Sequence, residues 1–118
     1  FNKINTMMHK YHLKKKAFNL IKDGTKTIEG RLNKSSFKNL KVNDFLNFHN
    51  DGHNIFVKII DIKNYKTFYE MLTSENLKDI TPISESINES LKIYYNCYSK
   101  ENEIKYGVLA LKIKLVNF

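Results

Sequence analysis

Asn50-Asp51-Gly52 stands between two runs of alternating residues, 45–49 and 54–62. Asp-Gly tolerates the positive φ angles of a tight turn, so the two runs read as a β-hairpin. A hairpin commits a chain to an antiparallel pair with one face to bury, which restricts the rest of the fold more than any other feature here. In the return run Ile55, Val57 and Ile59 share one face, while Phe56, Lys58 and Ile60 take the other.

Three further runs read as strands. Residues 107–116 are the clearest, with Leu109, Leu111, Ile113 and Leu115 alternating with Ala110, Lys112 and Lys114. Residues 7–13 alternate more roughly, and 26–32 form a strand that follows a helix. In that helix Leu13, Ala17, Leu20 and Ile21 fall at i, i+4, i+7 and i+8, and Gly24 after Asp23 is a natural stop. Thr67-Phe68-Tyr69-Glu70 and Ser86-Ile87-Asn88-Glu89 are capping boxes that open two more helices. The first buries Phe68, Met71 and Leu72; the second carries a stripe of Ile87, Leu91, Tyr94, Tyr95 and Tyr98. Residues 33–44 read as a loop, and 1–6 as a frayed polar lead-in. The order β, α, β, β, β, α, α, β predicts an α+β fold: a small barrel of about five to six mostly antiparallel strands, with two to three helices packed at its openings.

A chain of 118 residues fits one domain, 1–118, with a core that needs no metal or disulfide to staple it. It opens on Phe1 rather than Met, as a trimmed or excised domain would, with Met7 or Met8 close to a natural start. No apolar run approaches the roughly 20 residues of a membrane span. Cys97 is the only cysteine, which excludes an internal disulfide and fits a reducing intracellular compartment, the cytoplasm. The net charge of +8 is unevenly placed. Residues 1–43 hold eleven lysines and arginines against two acids, Asp23 and Glu29; residues 44–118 hold nine against ten. A one-sided basic field attracts polyanions, nucleic acid above all, although lysine-rich surfaces also serve solubility.

Most of the polar chemistry is concentrated in Gly24-Thr25-Lys26-Thr27-Ile28-Glu29-Gly30-Arg31, at the junction of helix and strand patterns. On a regular strand Glu29 and Arg31 share a face, and Lys26 faces the other way unless the turn brings it round. Glu29 beside Arg31 would stay ionised and fix the arginine fork for a phosphate or a base edge. Lys26 is a phosphate contact or, if desolvated, a nucleophile or base. The plain alternative is a surface ion pair contributing about 0–1 kcal/mol.

Gly24, Lys26, Glu29 and Arg31 match every defined position of the G-x-K-x-x-E-x-R signature of ASCH domains, a family of the PUA-like superfamily. The resemblance covers nearly the whole chain. Residues 17–23 resemble the family's first helix, and Lys41-Val42-Asn43-Asp44 its "K-V-G-D" approach to the next strand, with Asn43 where glycine is typical. Tyr65-Lys66-Thr67-Phe68 is similar to its "Y-x-[ST]-F" helix start, and Tyr106-Gly107-Val108-Leu109-Ala110 to its closing "Y-G-V-[LV]-A" strand. The resemblance implies a PUA-like barrel with a cleft lined by the signature, and a role in RNA or modified-nucleoside binding within RNA metabolism. One branch resembles amidohydrolases of N4-acetylcytidine that use a lysine, a threonine three residues later and a downstream glutamate. Lys26 matches that lysine, Glu29 occupies the threonine position, and Glu75 is the candidate glutamate. Two other readings therefore stand beside binding: a hydrolase of acylated nucleosides or RNA with Lys26 and Glu29 as catalytic residues, and a protein-interaction module.

Other residues complete the expected site. Lys14, Lys15 and Lys16 open the first helix beside the motif, either as a phosphate clamp or as an exposed helix face. Tyr94 and Tyr95 fit core packing better than base stacking, whereas Tyr98 reaches the rim. Cys97 reads as a buried or partly buried structural residue. Among His9, His12, His49 and His53 no pair has convincing ligand spacing, so no metal and no cofactor is expected. His9 is nevertheless placed to line the cleft, from a first strand lying near the motif strand. Nothing in the sequence specifies an oligomeric state.

Overall fold

The computed structural model describes residues 8–117; the expected lead-in at 1–6, and Met7 at the start of the first strand, lie outside that range. Five strands form one sheet in the order β1-β3-β4-β5-β2: β1 Met8–His12, β2 Ile28–Leu32, β3 Phe45–Asn50, β4 His53–Tyr65 and β5 Val108–Leu115. The hairpin is β3 and β4, paired from Phe45↔Lys58 to Asn50↔His53 around Asp51 and Gly52, both at positive φ. Strand β4 is long enough to pair with β3 on one side and β5 on the other. A register shift between Ile59 and Asp61 bends it there, and Ile60 is left largely exposed. The sheet curls into a half-barrel, the α+β architecture expected.

One strand pairs differently from the expected antiparallel pattern. β1 runs parallel to β3, from Met8↔Phe45 to His12↔His49, so the sheet is mixed. Among the described residues the edge strands β1 and β2 share no ladder. The seam between them is crossed by Arg31, whose Nη2 donates to the His12 carbonyl at 3.4 Å.

Among the described residues the helices number five: α1 Lys15–Lys22, α2 Phe68–Ser74, α3 Leu77–Ile80, α4 Ile87–Cys97 and α5 Lys100–Tyr106. Both capping boxes form, Thr67 accepting from the Glu70 amide at 3.0 Å and Ser86 from the Glu89 amide at 3.2 Å. Helices α3 and α5, and a 3-10 turn at Ser35–Asn39, are additional to the sequence reading. α3 is a single turn. α5 has no apolar stripe and is anchored instead by buried Glu103, which accepts from the Phe68 amide at 2.7 Å and the Tyr95 hydroxyl at 2.9 Å.

The curled sheet separates two cores. Leu13, Phe18 and Ile21 close one around Leu46, Phe48, Val57, Ile59, Leu109 and Leu111. On the other face Ile28, Leu32, Val108 and Ala110 lie under Phe68, Met71, Leu72, Ile80 and Tyr94. Strand β5 is thus buried on both faces along 108–111, while Leu115, expected on the buried face, is 40% exposed. Helix α1 divides its apolar residues: Phe18 and Ile21 enter the core, whereas Ala17 and Leu20 turn to a cleft.

Candidate functional site

That cleft, about 680 Å³ in volume, lies between α1 and α4 with β2 as its floor. Small-molecule sites span roughly 300–1,000 Å³, so its size suits a ligand of nucleotide scale. Its shape follows from the turn after α1. Gly24 adopts φ +85 and its amide returns to the Ile21 carbonyl, ending the helix. The Lys26 amide then bonds the Leu20 carbonyl, and the Thr27 amide the Asp79 carbonyl, before β2 begins at Ile28. The chain is therefore still turning at Lys26, and its side chain comes round to join Glu29.

The three charged groups form a buried row. Lys26 Nζ lies 3.4 Å from Glu29 Oε1, and Arg31 Nε donates to Glu29 Oε2 at 2.8 Å. Side-chain exposures of 6%, 9% and 18% for Lys26, Glu29 and Arg31 set this apart from a surface ion pair. Lys26 also donates to the carbonyls of Ile28 at 2.8 Å and Ile80 at 2.6 Å. The Ile80 carbonyl ends α3, where helices leave acceptors unsatisfied, so Lys26 caps that helix while holding Glu29. An ammonium has three protons, and here three acceptors face them. Arg31 also lies 5.1 Å from the Phe37 ring centroid, a cation–π contact that steadies its fork.

Burial pulls the Lys26 ammonium below its ordinary value, opposed by Glu29. Burial would raise the Glu29 carboxyl, but the attraction of Lys26 and Arg31 prevails and holds it below its ordinary value of 4.5. Burial likewise works against the charge on Arg31, and Glu29 outweighs it, raising the guanidinium further. Burial pushes the Tyr94 and Tyr98 hydroxyls up, so both stay protonated.

The Glu29 shift has a sign that can be tested. Unfolded, Glu29 takes up a proton near pH 4.5; folded, it stays ionised to lower pH. The contribution of the pairing is whole above about pH 4.5 and is lost as pH falls from there through the depressed folded value. In urea titrations between pH 7 and pH 3, the stability gap between wild type and Glu29→Gln is expected to narrow below pH 4.5. A gap that stays constant with pH would contradict the assignment.

The other expected site residues divide. Lys14 and Lys16 line the cleft on the α1 side, and Tyr98 lines it from the end of α4; Lys15 does not line it. His9 stands elsewhere, its Nε2 3.1 Å from Asp44 Oδ2. Strand alternation explains this, since His9 and Tyr11 turn inward together while His12, of opposite parity, lines the cleft. Glu75 is also elsewhere: it accepts from Tyr65 and lies beside Lys63 on another part of the surface. Tyr94 and Tyr98 stack on Phe68, at 4.4 and 5.3 Å between ring centroids; Tyr94 is buried in the core, and Tyr98, partly buried, packs against it while lining the cleft.

Three features of the cleft were not read from the sequence. Ile83 and Ile93 stand half-exposed along its α4 side, opposite Ala17 and Leu20. Cys97 is exposed, not buried, and its Sγ accepts from Lys14 Nζ at 3.2 Å across the opening. One position from Tyr98 on α4, it faces the cleft rather than the core. The third is Gly30: a Cβ there would stand 2.7 Å from Met71 Cε and 2.8 Å from the Tyr94 hydroxyl. Only glycine lets α2 and α4 approach β2 so closely.

Among the described residues, no group of three or more histidines, cysteines or acids could hold a metal ion. No helix among them is long and apolar enough to cross a membrane.

The ASCH domain model matches residues 12–117. Two solved structures cover almost the whole chain. Hypothetical protein PH0355 is 35% identical, with a TM-score of 0.86, over 94% of this chain and 100% of its own. Protein PF0455 from Pyrococcus furiosus is 34% identical, with a TM-score of 0.80, over 95% of this chain and 100% of its own. ZmASCH from Zymomonas mobilis, solved as an S128A mutant, shares the fold at 14% identity and a TM-score of 0.63, over 93% of this chain and 73% of its own. No curated protein gives a significant match. Signature, fold and relatives agree: the chain belongs to the ASCH domain family.

Proposed function

We propose that this domain binds RNA, or a modified nucleoside, in the cleft built on Lys26, Glu29 and Arg31. The observation that carries the reading is the buried charged row on the floor of a nucleotide-sized cleft, with Lys14 and Lys16 at its opening. Four cations then face one carboxylate, a balance that suits an anionic ligand entering past the lysines. The family's association with RNA and the lysine-rich first third of the chain support the same reading.

Recognition fits the site better than hydrolysis. All three protons of the Lys26 ammonium are taken up by acceptors within the protein, so although burial lowers its pKa the group has no bonding capacity turned to a ligand. A carboxyl with a depressed pKa is a weak general base. Lys26 is thus a positioning residue for Glu29, and Arg31 is the group that meets the ligand. His9 and Lys15 stand outside the cleft lining and take no direct part.

Binding to single-stranded RNA is expected to weaken with salt. Lys14 and Lys16 at the rim would neutralise about two phosphates, giving a slope of log K against log salt of roughly −1.4. RNA affinity that is absent, or indifferent to salt, would overturn the proposal. Incubation with N4-acetylcytidine and with RNA is expected to give no turnover.

A further inference from the structure

The floor of the cleft is polarised, with an acceptor at Glu29 and a donor at Arg31. Each oxygen of Glu29 has one partner, Lys26 at Oε1 and Arg31 Nε at Oε2. A carboxylate oxygen accepts two hydrogen bonds, so accepting capacity remains on both. Of the five guanidinium N–H donors of Arg31, Nε serves Glu29, one on Nη2 serves the His12 carbonyl and one faces the Tyr98 hydroxyl, so two remain for a ligand. The walls above are aliphatic, Leu20 on one side and Ile93 on the other. A phosphate is disfavoured beside an ionised carboxylate and belongs with the lysines at the rim. A flat ring with a polar edge fits between the walls.

We infer that Glu29 and Arg31 read the pairing edge of an unpaired base, selecting guanine and cytosine over uracil; this rests on the RNA-binding reading above. Guanine presents amino donor, imino donor and carbonyl acceptor in order along its edge. Cytosine presents amino donor, ring acceptor and carbonyl acceptor. In both, donors lie at one end for Glu29 and acceptors at the other for Arg31. Uracil alternates acceptor, donor, acceptor, so when its imino group bonds Glu29 one carbonyl is left facing the carboxylate. Discrimination of this kind resembles bidentate base reading, in which carboxylates accept from base amino groups and arginine donates to base acceptors.

The test measures binding of GMP, CMP, UMP and IMP, and of a mixed-sequence single-stranded RNA, at one salt concentration. GMP and CMP are expected to bind at least about tenfold more tightly than UMP, the scale of one good bidentate contact. IMP lacks the 2-amino donor of guanine and is expected to bind more weakly than GMP, a comparison that needs no variant. Glu29→Gln, if it folds, is expected to bring GMP and UMP within about threefold of each other. Equal binding of UMP and GMP to the wild type, or a preference that survives in Glu29→Gln, overturns the inference. RNA binding with no base preference leaves the proposed function standing without it. Absence of both nucleotide and RNA binding overturns both.

Discussion

Replacing Glu29 with alanine is expected to destabilise the domain by about 3–5 kcal/mol, the cost of breaking a buried ion pair from one side. Among the described residues the carboxylate is the one acid within contact of both Lys26 and Arg31, and all three side chains are withdrawn from water. Without it two cations stay buried facing each other. Lys26 keeps its bonds to the Ile28 and Ile80 carbonyls, so the amine has no easy route to solvent. Small domains are stable by roughly 5–15 kcal/mol, and a loss of this size would leave a large unfolded fraction on mild warming. Urea denaturation at pH 7 measures it. A loss below about 1 kcal/mol would mean that the row behaves as an exposed ion pair and that its burial is not maintained in solution.

Substitution of Gly30 by alanine is expected to cost about 1–3 kcal/mol, because the added methyl would overlap atoms on two different helices. Met71 Cε can swing away, since methionine is flexible, but Met71 is fully buried and has little room to move into. The Tyr94 hydroxyl ends a rigid ring stacked on Phe68, so relief there requires a shift of α4. Such a shift would move the wall carrying Ile93 and weaken ligand binding as well as stability. The mechanism makes a sharper demand through a double-mutant cycle. In a Met71→Ala background the cost of Gly30→Ala is expected to shrink, because the cavity accepts the methyl. Costs that simply add would show that the close approach of Met71 is not what requires glycine at position 30.

How much of this was legible in the sequence depends on whether a feature is local. The hairpin, both capping boxes and the existence of strand β5 are set by neighbouring residues, and each appears where its pattern places it; the two-sided burial of 108–111 comes from a second core that alternation does not announce. The parallel pairing of β1 with β3 is not local: period-two alternation states which faces are apolar but not which strand lies alongside or in which direction. α5 is illegible for a related reason, since its anchor is a polar residue, Glu103, bonded to a helix start 35 residues earlier in the chain.

The candidate site divides the same way. Glu29 and Arg31 sharing a face follows from strand geometry alone. That Lys26 joins them depends on the Leu20 and Asp79 carbonyls holding the turn, and the second of these belongs to a helix not anticipated. His9 and His12 were legible as residues of opposite faces, but which face turned to the cleft was decided by the partner strand. The α4 wall could not be read because Ile93 and Cys97 lie just off the tyrosine stripe, at positions that a helical period assigns to solvent.

The most direct test of the central claim is a titration of the isotope-labelled domain with a short single-stranded RNA, followed by backbone amide chemical shifts. The account predicts that the largest changes fall on residues 26–31, on the start of α1 around Lys14 and Lys16, and on the end of α4 around Ile93 and Cys97. Changes confined to the outer face of β4 around Lys58 and Ile60, with residues 26–31 unmoved, would contradict it.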